Sequence, residues 1–209
     1  MTTLTIAHSK GGVGKSTLAW NLAIALDSMQ YRVALVDLDV QHTITHTNTA
    51  RVASGREPMI IHSPTTLGEL HACIRDASFD FIIVDVGGYD FDLGRAAIAL
   101  ADRLIIPISD NPTELFGFIT FTQFLGEIAE SAPVPPLTAV INAVHPRASR
   151  FDTIFGAVAL WPKAVIADTV IRRRMIYASS MGNGFGVTEM RDKFPSASIE
   201  IMELAREVM

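Results

Sequence analysis

Cysteine is almost missing from this chain. Cys73 stands alone among 209 residues, which excludes an intramolecular disulfide and an all-cysteine metal site. Its neighbours Leu70, His71, Ala72 and Ile74 read as one helix face, so packing is its expected role and thiol chemistry the alternative. Charge is sparse: 19% of residues are Asp, Glu, Lys or Arg, against 49% apolar ones, the balance of a chain that buries a core. Long apolar runs are missing too, since none approaches the roughly 18 residues that a spanning helix needs. No basic segment or cleavage-like site precedes Thr2-Thr3-Leu4-Thr5-Ile6, giving the expectation of a cytoplasmic protein. No internal repeat, low-complexity tract or long linker interrupts the sequence, so one domain over residues 1–209 is expected. Nor is there a bulk basic field for nucleic acid, because the formal net charge is −5. That sum hides a local excess: residues 141–180 carry six basic side chains against Asp152 and Asp168.

What the chain does have is concentrated in Lys10-Gly-Gly-Val-Gly-Lys-Ser-Thr17. An apolar run, Leu4 to Ala7, precedes it and a helix-like stretch, Leu18 to Ser28, follows, which is the strand–turn–helix setting of a phosphate-binding loop. Gly11, Gly12 and Gly14 let the backbone curl around a polyphosphate with its N–H groups pointing inward, in a segment completed by Val13 and Thr17. The following helix start adds unsatisfied donors and partial positive charge. Lys15 is placed to reach the β- and γ-phosphates, and the Ser16 hydroxyl to ligate Mg²⁺. Position 9, where GxxxxGK[ST] has its first glycine, is Ser9, and a second lysine, Lys10, stands beside it.

Elsewhere short apolar runs alternate with amphipathic ones, the pattern of a βα-repeating chain. Strands are expected at Thr3–His8, Arg32–Leu38, Met59–His62, Phe79–Val86, Arg103–Ile108, Leu137–Asn142 and Ala164–Ala167. Helices are expected at Ser16–Met29, His42–Ala53, Leu67–Ala77, Leu93–Ala101, Pro112 to about Glu130, Arg147–Val158, Arg172–Ser180 and Ser196–Val208. Asp110 and Asn111 are good caps for the helix that starts near Pro112. Gly182, Gly184 and Gly186 read as a mobile separator of the last two helices. The fold class that follows is α/β, three layers, with a mostly parallel central sheet flanked by helices.

In such sheets ligands sit beyond the carboxyl ends of strands, so acidic residues there are the ones to inspect. Asp85 closes Phe81-Ile-Ile-Val84, a Walker-B arrangement suited to Mg²⁺, and Gly87-Gly88 would let backbone approach a γ-phosphate. A helix cap is the plainer role for Asp85. Asp37 and Asp39 fall on the same side of an extended segment and can face one site together, with a surface turn as the alternative for Asp39.

The leading lysine of the loop, together with Asp37-Leu-Asp-Val-Gln41, resembles the ParA/MinD superfamily of deviant phosphate-loop ATPases. Its loop reads KGGxGK[ST] and its first switch DxDPQ, and here Val40 replaces the proline, loosening the backbone restraint. The resemblance implies ATP and Mg²⁺ as cofactors and a P-loop NTPase fold. It implies that Lys10 crosses a dimer interface to the partner's nucleotide and that Asp39 orients the attacking water. Asp37 would be a carboxylate near Mg²⁺, and Asn142 an amide reading the base, although strand-end asparagines also cap turns. The match is strong at residues 10–17, good at 37–41 and 85–88, and loose elsewhere, including Tyr177, Gly184 and Val187-Thr-Glu189. A lone cysteine disfavours the iron–sulfur relatives, and the glutamate-rich C-terminus lacks the basic membrane helix of the cell-division relatives.

What is left resembles the short, ParF-like plasmid-partition class. That class implies a nucleotide-dependent homodimer, higher assembly in some members, and a ParB-like or ParG-like DNA-binding protein that stimulates hydrolysis. It also implies non-specific DNA binding, hence nucleoid association, and no membrane. Arg172-Arg173-Arg174, with Arg147, Arg150 and Lys163, are the DNA-contact candidates, against an ordinary solvated helix start or nucleotide-facing arginines. Two other functions stay open: a metabolic ligase of the same superfamily, and a nucleotide-gated scaffold with negligible turnover.

Overall fold

The computed structural model describes residues 1–87, 92–161, 163–190 and 192–209. In chain order the elements are β1 (Thr2–Ile6), α1 (Lys15–Ser28), β2 (Val33–Asp37), α2 (Thr43–Ala53), β3 (Ile60–His62), α3 (Leu67–Ile74), β4 (Phe81–Asp85) and α4 (Asp92–Ala99). There follow β5 (Arg103–Ile108), α5 (Pro112–Ala129), β6 (Leu137–Ile141), α6 (Asp152–Val158), β7 (Ala164–Ile166), α7 (Met175–Gly182), a 3-10 turn (Val187–Met190) and α8 (Pro195–Val208). The strands form one seven-stranded sheet in the order β3-β2-β4-β1-β5-β6-β7, every pair parallel. The fold is therefore α/β with helices on both faces, as the sequence predicts.

Alternation along the strands divides the core. Leu4, Ile6, Leu35, Ile83 and Ile105 turn to one face and meet α1, α7 and α8. Val36, Ile82, Val84, Leu104 and Ile106 turn to the other and meet α3 to α6. Buried on both faces, these strands read as continuous apolar runs. The helix α1 is enclosed along Leu18–Leu26, while α8 lays Ile201, Leu204, Ala205 and Val208 into the same core. Caps fix several helix starts: Asn111 accepts from the Thr113 amide ahead of Pro112, and Thr66 with Glu69 forms a capping box.

Three expectations are corrected. Helix α7 begins at Met175 rather than Arg172, because residues 171–173 stay extended: the Ile171 amide donates to the Ile141 carbonyl and the Arg173 amide to that of Val144. Helix α6 begins at Asp152 rather than Arg147, since a turn at 145–148 closes on His145, whose carbonyl accepts from the Ala148 amide. Of the three glycines, Gly184 and Gly186 are packed rather than free, while Gly182 has open space beside it. Gly184 lies so close to the α2 backbone that a β-carbon would sit 2.1 Å from the Arg51 nitrogen, and the Trp20 indole donates to the Phe185 carbonyl.

Because all strands run one way, every carboxyl end reaches the same edge. There β2, β4 and β1 are neighbours, with Asp37 in register with Asp85 and Asp85 with Ile6. The loops after these three strands are thereby forced together.

Candidate phosphate and metal site

The loop after β1 passes into α1 through Gly14, whose φ of 96° is open to glycine and strained for other residues. Asn142, at the end of β6, packs directly against it: a β-carbon on Gly14 would lie 2.5 Å from the Asn142 amide nitrogen. That amide donates to the Val13 carbonyl at 2.7 Å, and the residue is buried. One amide donor of Asn142 thus holds the loop, which leaves its second donor and its oxygen for the expected base contact.

Lys15 is buried, and its ammonium donates to the Lys10 carbonyl at 2.9 Å, so the loop curls over its own cation. Burial lowers the Lys15 pKa, with Asp85 and Asp39 opposing. Ser9 fills the missing-glycine position and donates its hydroxyl to the Gly117 carbonyl of α5 at 2.7 Å.

Asp85 is fully buried, and neither carboxylate oxygen has a hydrogen-bond partner among the described residues. Burial, then repulsion from Asp39 and Asp37, pushes its pKa up to about 7, against lowering by Ser16 and Lys15. The Ser16 hydroxyl is near enough to lower that pKa without making a well-formed hydrogen bond. An orphaned carboxylate at a strand end beside a loop serine is a donor set that fits Mg²⁺, a hard cation that takes oxygen ligands.

The two switch aspartates differ. Asp37 is buried with both oxygens engaged: one accepts from the Asp39 amide at 3.1 Å, the other from the Thr45 hydroxyl at 2.6 Å, with His42 Nδ1 at 3.5 Å. It organises the turn into α2, whereas Asp85 points unpartnered at the site. Asp39 is half-buried, accepts from the Gln41 amide at 2.9 Å, and abuts Gly87, where a β-carbon would sit 2.5 Å from its carboxylate. Glycine at 87 thus lets the β4 loop and the switch touch, while Gly88 lies outside the described residues. Gly11, Gly12, Gly14, Lys15, Ser16, Thr17 and Asp39 share one cavity of about 560 Å³ with Gln41 and Gly87. Thr45 and Gly117, which the sequence reading passes over, brace Asp37 and Ser9 from residues 8 and 108 positions away. No periodicity signals either.

The basic candidates are divided. Arg147, Arg150 and Arg173 are exposed near the carboxyl edge, with Arg173 Nε donating to the Ala143 carbonyl at 3.1 Å. Arg172 instead donates to the Ala148 and His145 carbonyls and lies over the Phe151 ring, while Arg174 is paired with Glu200. Lys163 precedes β7 and so sits at the opposite, amino edge of the sheet. Nearness in sequence misplaces it, because the crossover through α6 returns the chain to the far side.

The sequence pattern defining the CobQ/CobB/MinD/ParA nucleotide binding domain matches residues 4–184. The chain belongs to that family. Among MinD/ParA-type relatives, the maintenance of carboxysome distribution protein A of Halothiobacillus neapolitanus is 25% identical over 99% of this chain and 96% of its own length. A chain of the MinC:MinD cell division protein complex of Aquifex aeolicus superposes with a TM-score of 0.77 at 18% identity, covering 100% of this chain and 96% of that one. A Borrelia burgdorferi protein assigned to plasmid partition, bound to AMPPNP, does so with a TM-score of 0.73 at 19% identity, covering 100% and 98%. At these identities the MinD and partition structures bear on the fold alone. Among the described residues no helix is long and apolar enough to cross a membrane.

Proposed function

We propose that this member of the MinD/ParA family is a Mg-ATP-dependent ATPase that dimerises on its nucleotide and distributes large cargo, plasmid or related DNA included. The observation that carries the reading is the buried, unpartnered carboxylate of Asp85 beside Lys15 and Ser16 at the foot of a phosphate loop. A carboxylate left in that state has a use when a cation sits among phosphates. Gly11 to Thr17 would cradle the phosphates, and Lys15 would exchange the Lys10 carbonyl for a phosphate oxygen. Ser16 and Asp85 would hold Mg²⁺, which when bound supplies positive charge against the β- and γ-oxygens. Asp37 would support this set through the switch turn it organises, and Asn142 would act from beneath the loop. Asp39 would orient the attacking water, held near the phosphates by its contact with Gly87. Lys10 would reach a second copy's nucleotide from the lip of the loop.

Cargo distribution rests on the name of one relative, assigned to carboxysome distribution, and plasmid or related DNA as the cargo on the resemblance of the loop and first-switch motifs to the partition class. A small ParB-like or ParG-like partner that stimulates hydrolysis, and action at the nucleoid, belong to the same reading. Nucleotide titration beside phosphate-release rates tests the chemistry. Lys15→Ala should abolish ATP binding, and Asp39→Ala should keep most of the affinity while losing most of the turnover. Undiminished turnover in the Asp39 variant would remove its role.

A further inference from the structure

His8 is the last residue before the loop, and it is wholly buried. Its Nδ1 accepts the Lys10 backbone N–H at 2.9 Å, so that nitrogen carries no proton. Its other nitrogen, Nε2, is buried without a partner among the described residues. The ring stacks on Phe121 of α5 at 6.3 Å between centroids and 7° between planes. Burial, then the charges of Lys15 and Lys10, hold its pKa down to about 4, which keeps the ring neutral.

The same helix shapes the rest of the lip. Gly117 accepts the Ser9 hydroxyl through its carbonyl, and a β-carbon there would lie 2.9 Å from both His8 Cε1 and Lys10 Cγ. The aliphatic stem of Lys10 is thus seated on α5, with its amide clamped by His8 behind it. An unpartnered buried N–H works against stability, and an apolar side chain of similar volume would avoid it. The imidazole is therefore poorly explained as filler.

We propose that His8 is a positioning residue for Lys10: its neutral imidazole clamps the Lys10 amide and, with Gly117, aims the lysine stem along α5. The clamp is a feature of the single chain. Its consequence, delivery of Lys10 to a second copy, rests on the dimerising reading given above.

The test compares wild type with His8→Leu, which removes the acceptor, and His8→Asn, whose side-chain oxygen can accept the same i+2 amide in an Asx-turn. In the monomer, two-bond ¹H–¹⁵N correlation of the imidazoles reports the tautomer. An Nε2–H form for His8, identified by its loss in the variants, is expected, with a slowly exchanging Lys10 amide in wild type and His8→Asn only. An Nδ1–H tautomer would overturn the clamp. Sedimentation with a slowly hydrolysed ATP analogue reads the consequence. His8→Leu should need about tenfold more protein for half-assembly, with a far smaller change in ADP affinity, and His8→Asn should restore assembly. Equal assembly by wild type and a folded His8→Leu would overturn the delivery of Lys10. A wild type that never assembles would instead remove the dimerising reading, and with it the delivery, leaving the clamp to be judged by the tautomer.

Discussion

At the scale of single residues, Asp85 is the clearest case of a buried polar group that costs the protein alone, and the one on which the proposed cation site depends. Its folded pKa of about 7 lies above the ordinary 3.8, so the folded state holds a proton that the unfolded chain has released between those values. Stability therefore falls as pH rises through that window, and the loss is complete above about 7. His8 has the opposite slope, since its folded pKa of about 4 lies below 6.5 and stability is lost as pH drops between them. Comparing wild type with Asp85→Asn cancels the His8 contribution. In metal- and nucleotide-free protein, the variant should gain on wild type as pH rises from 5 to 8, reaching on the order of 2 kcal/mol. With Mg-ADP present the order should reverse, because wild type regains its cation. Urea denaturation at several pH values measures the difference, and one that stays constant with pH would refute the shift. The strand-end position of Asp85, like the loop from Lys10 to Thr17, is readable from sequence because both depend on local order. Its orphaned state is not, nor is the grip of Asn142 on Val13 across 129 positions, since each depends on what other strands bring alongside.

At the scale of elements, α2 is the link between the switch and the C-terminal segment. It starts just beyond Asp39 and carries Arg51, buried, whose guanidinium meets Glu189 at 2.9 and 3.0 Å. Glu189 also accepts from Arg56 at 2.7 Å and from the Gly186 amide at 2.9 Å, and Arg51 reaches the Gly184 and Glu57 carbonyls. Removing Glu189 would leave a buried guanidinium without its counter-charge. Glu189→Ala should lose about 3 kcal/mol of stability. Asp80→Ala, which breaks the exposed pair with Arg32, should shift the denaturation midpoint far less, because solvent screens both partners. Similar shifts in the two variants would mean that this network is not a buried fastening. The segment that makes these contacts is where sequence reading is weakest. Glycines at 182, 184 and 186 suggest freedom when seen alone, yet close packing also needs glycine, as at 184 and 186, and only the neighbouring helices tell the two apart. The strands are legible as short continuous apolar runs and the helices as the longer stretches between them, apart from ends shifted where a bridge or turn intervenes.

At the scale of the whole molecule, charge decides what the outer surface can meet. The chain is acidic overall, so any DNA contact must come from a local patch, and it must overcome repulsion from the rest. Six basic side chains were candidates from sequence, but pairing and topology leave Arg147, Arg150 and Arg173 exposed at the edge that also carries the phosphate loop. Joining two such edges through a nucleotide-dependent dimer would double the density of these side chains on one surface. ATP should therefore switch DNA binding on. Neutralising Arg147, Arg150 and Arg173 together should weaken binding to unrelated sequences about equally, and the effect should shrink as salt rises. Each contact removed should lower the slope of log affinity against log salt by about one. Lys163→Ala should change nothing, since that side chain sits at the far edge, and Arg174→Ala should act through the lost Glu200 pair on stability instead. Anisotropy titrations at low salt, with and without ATP, measure all of this. Wild type that fails to bind DNA in ATP would eliminate the patch, and turnover stimulated by a small carboxylate would favour a ligase over cargo distribution. Equal losses from Lys163→Ala and the triple variant would show that DNA contacts a surface other than the carboxyl edge.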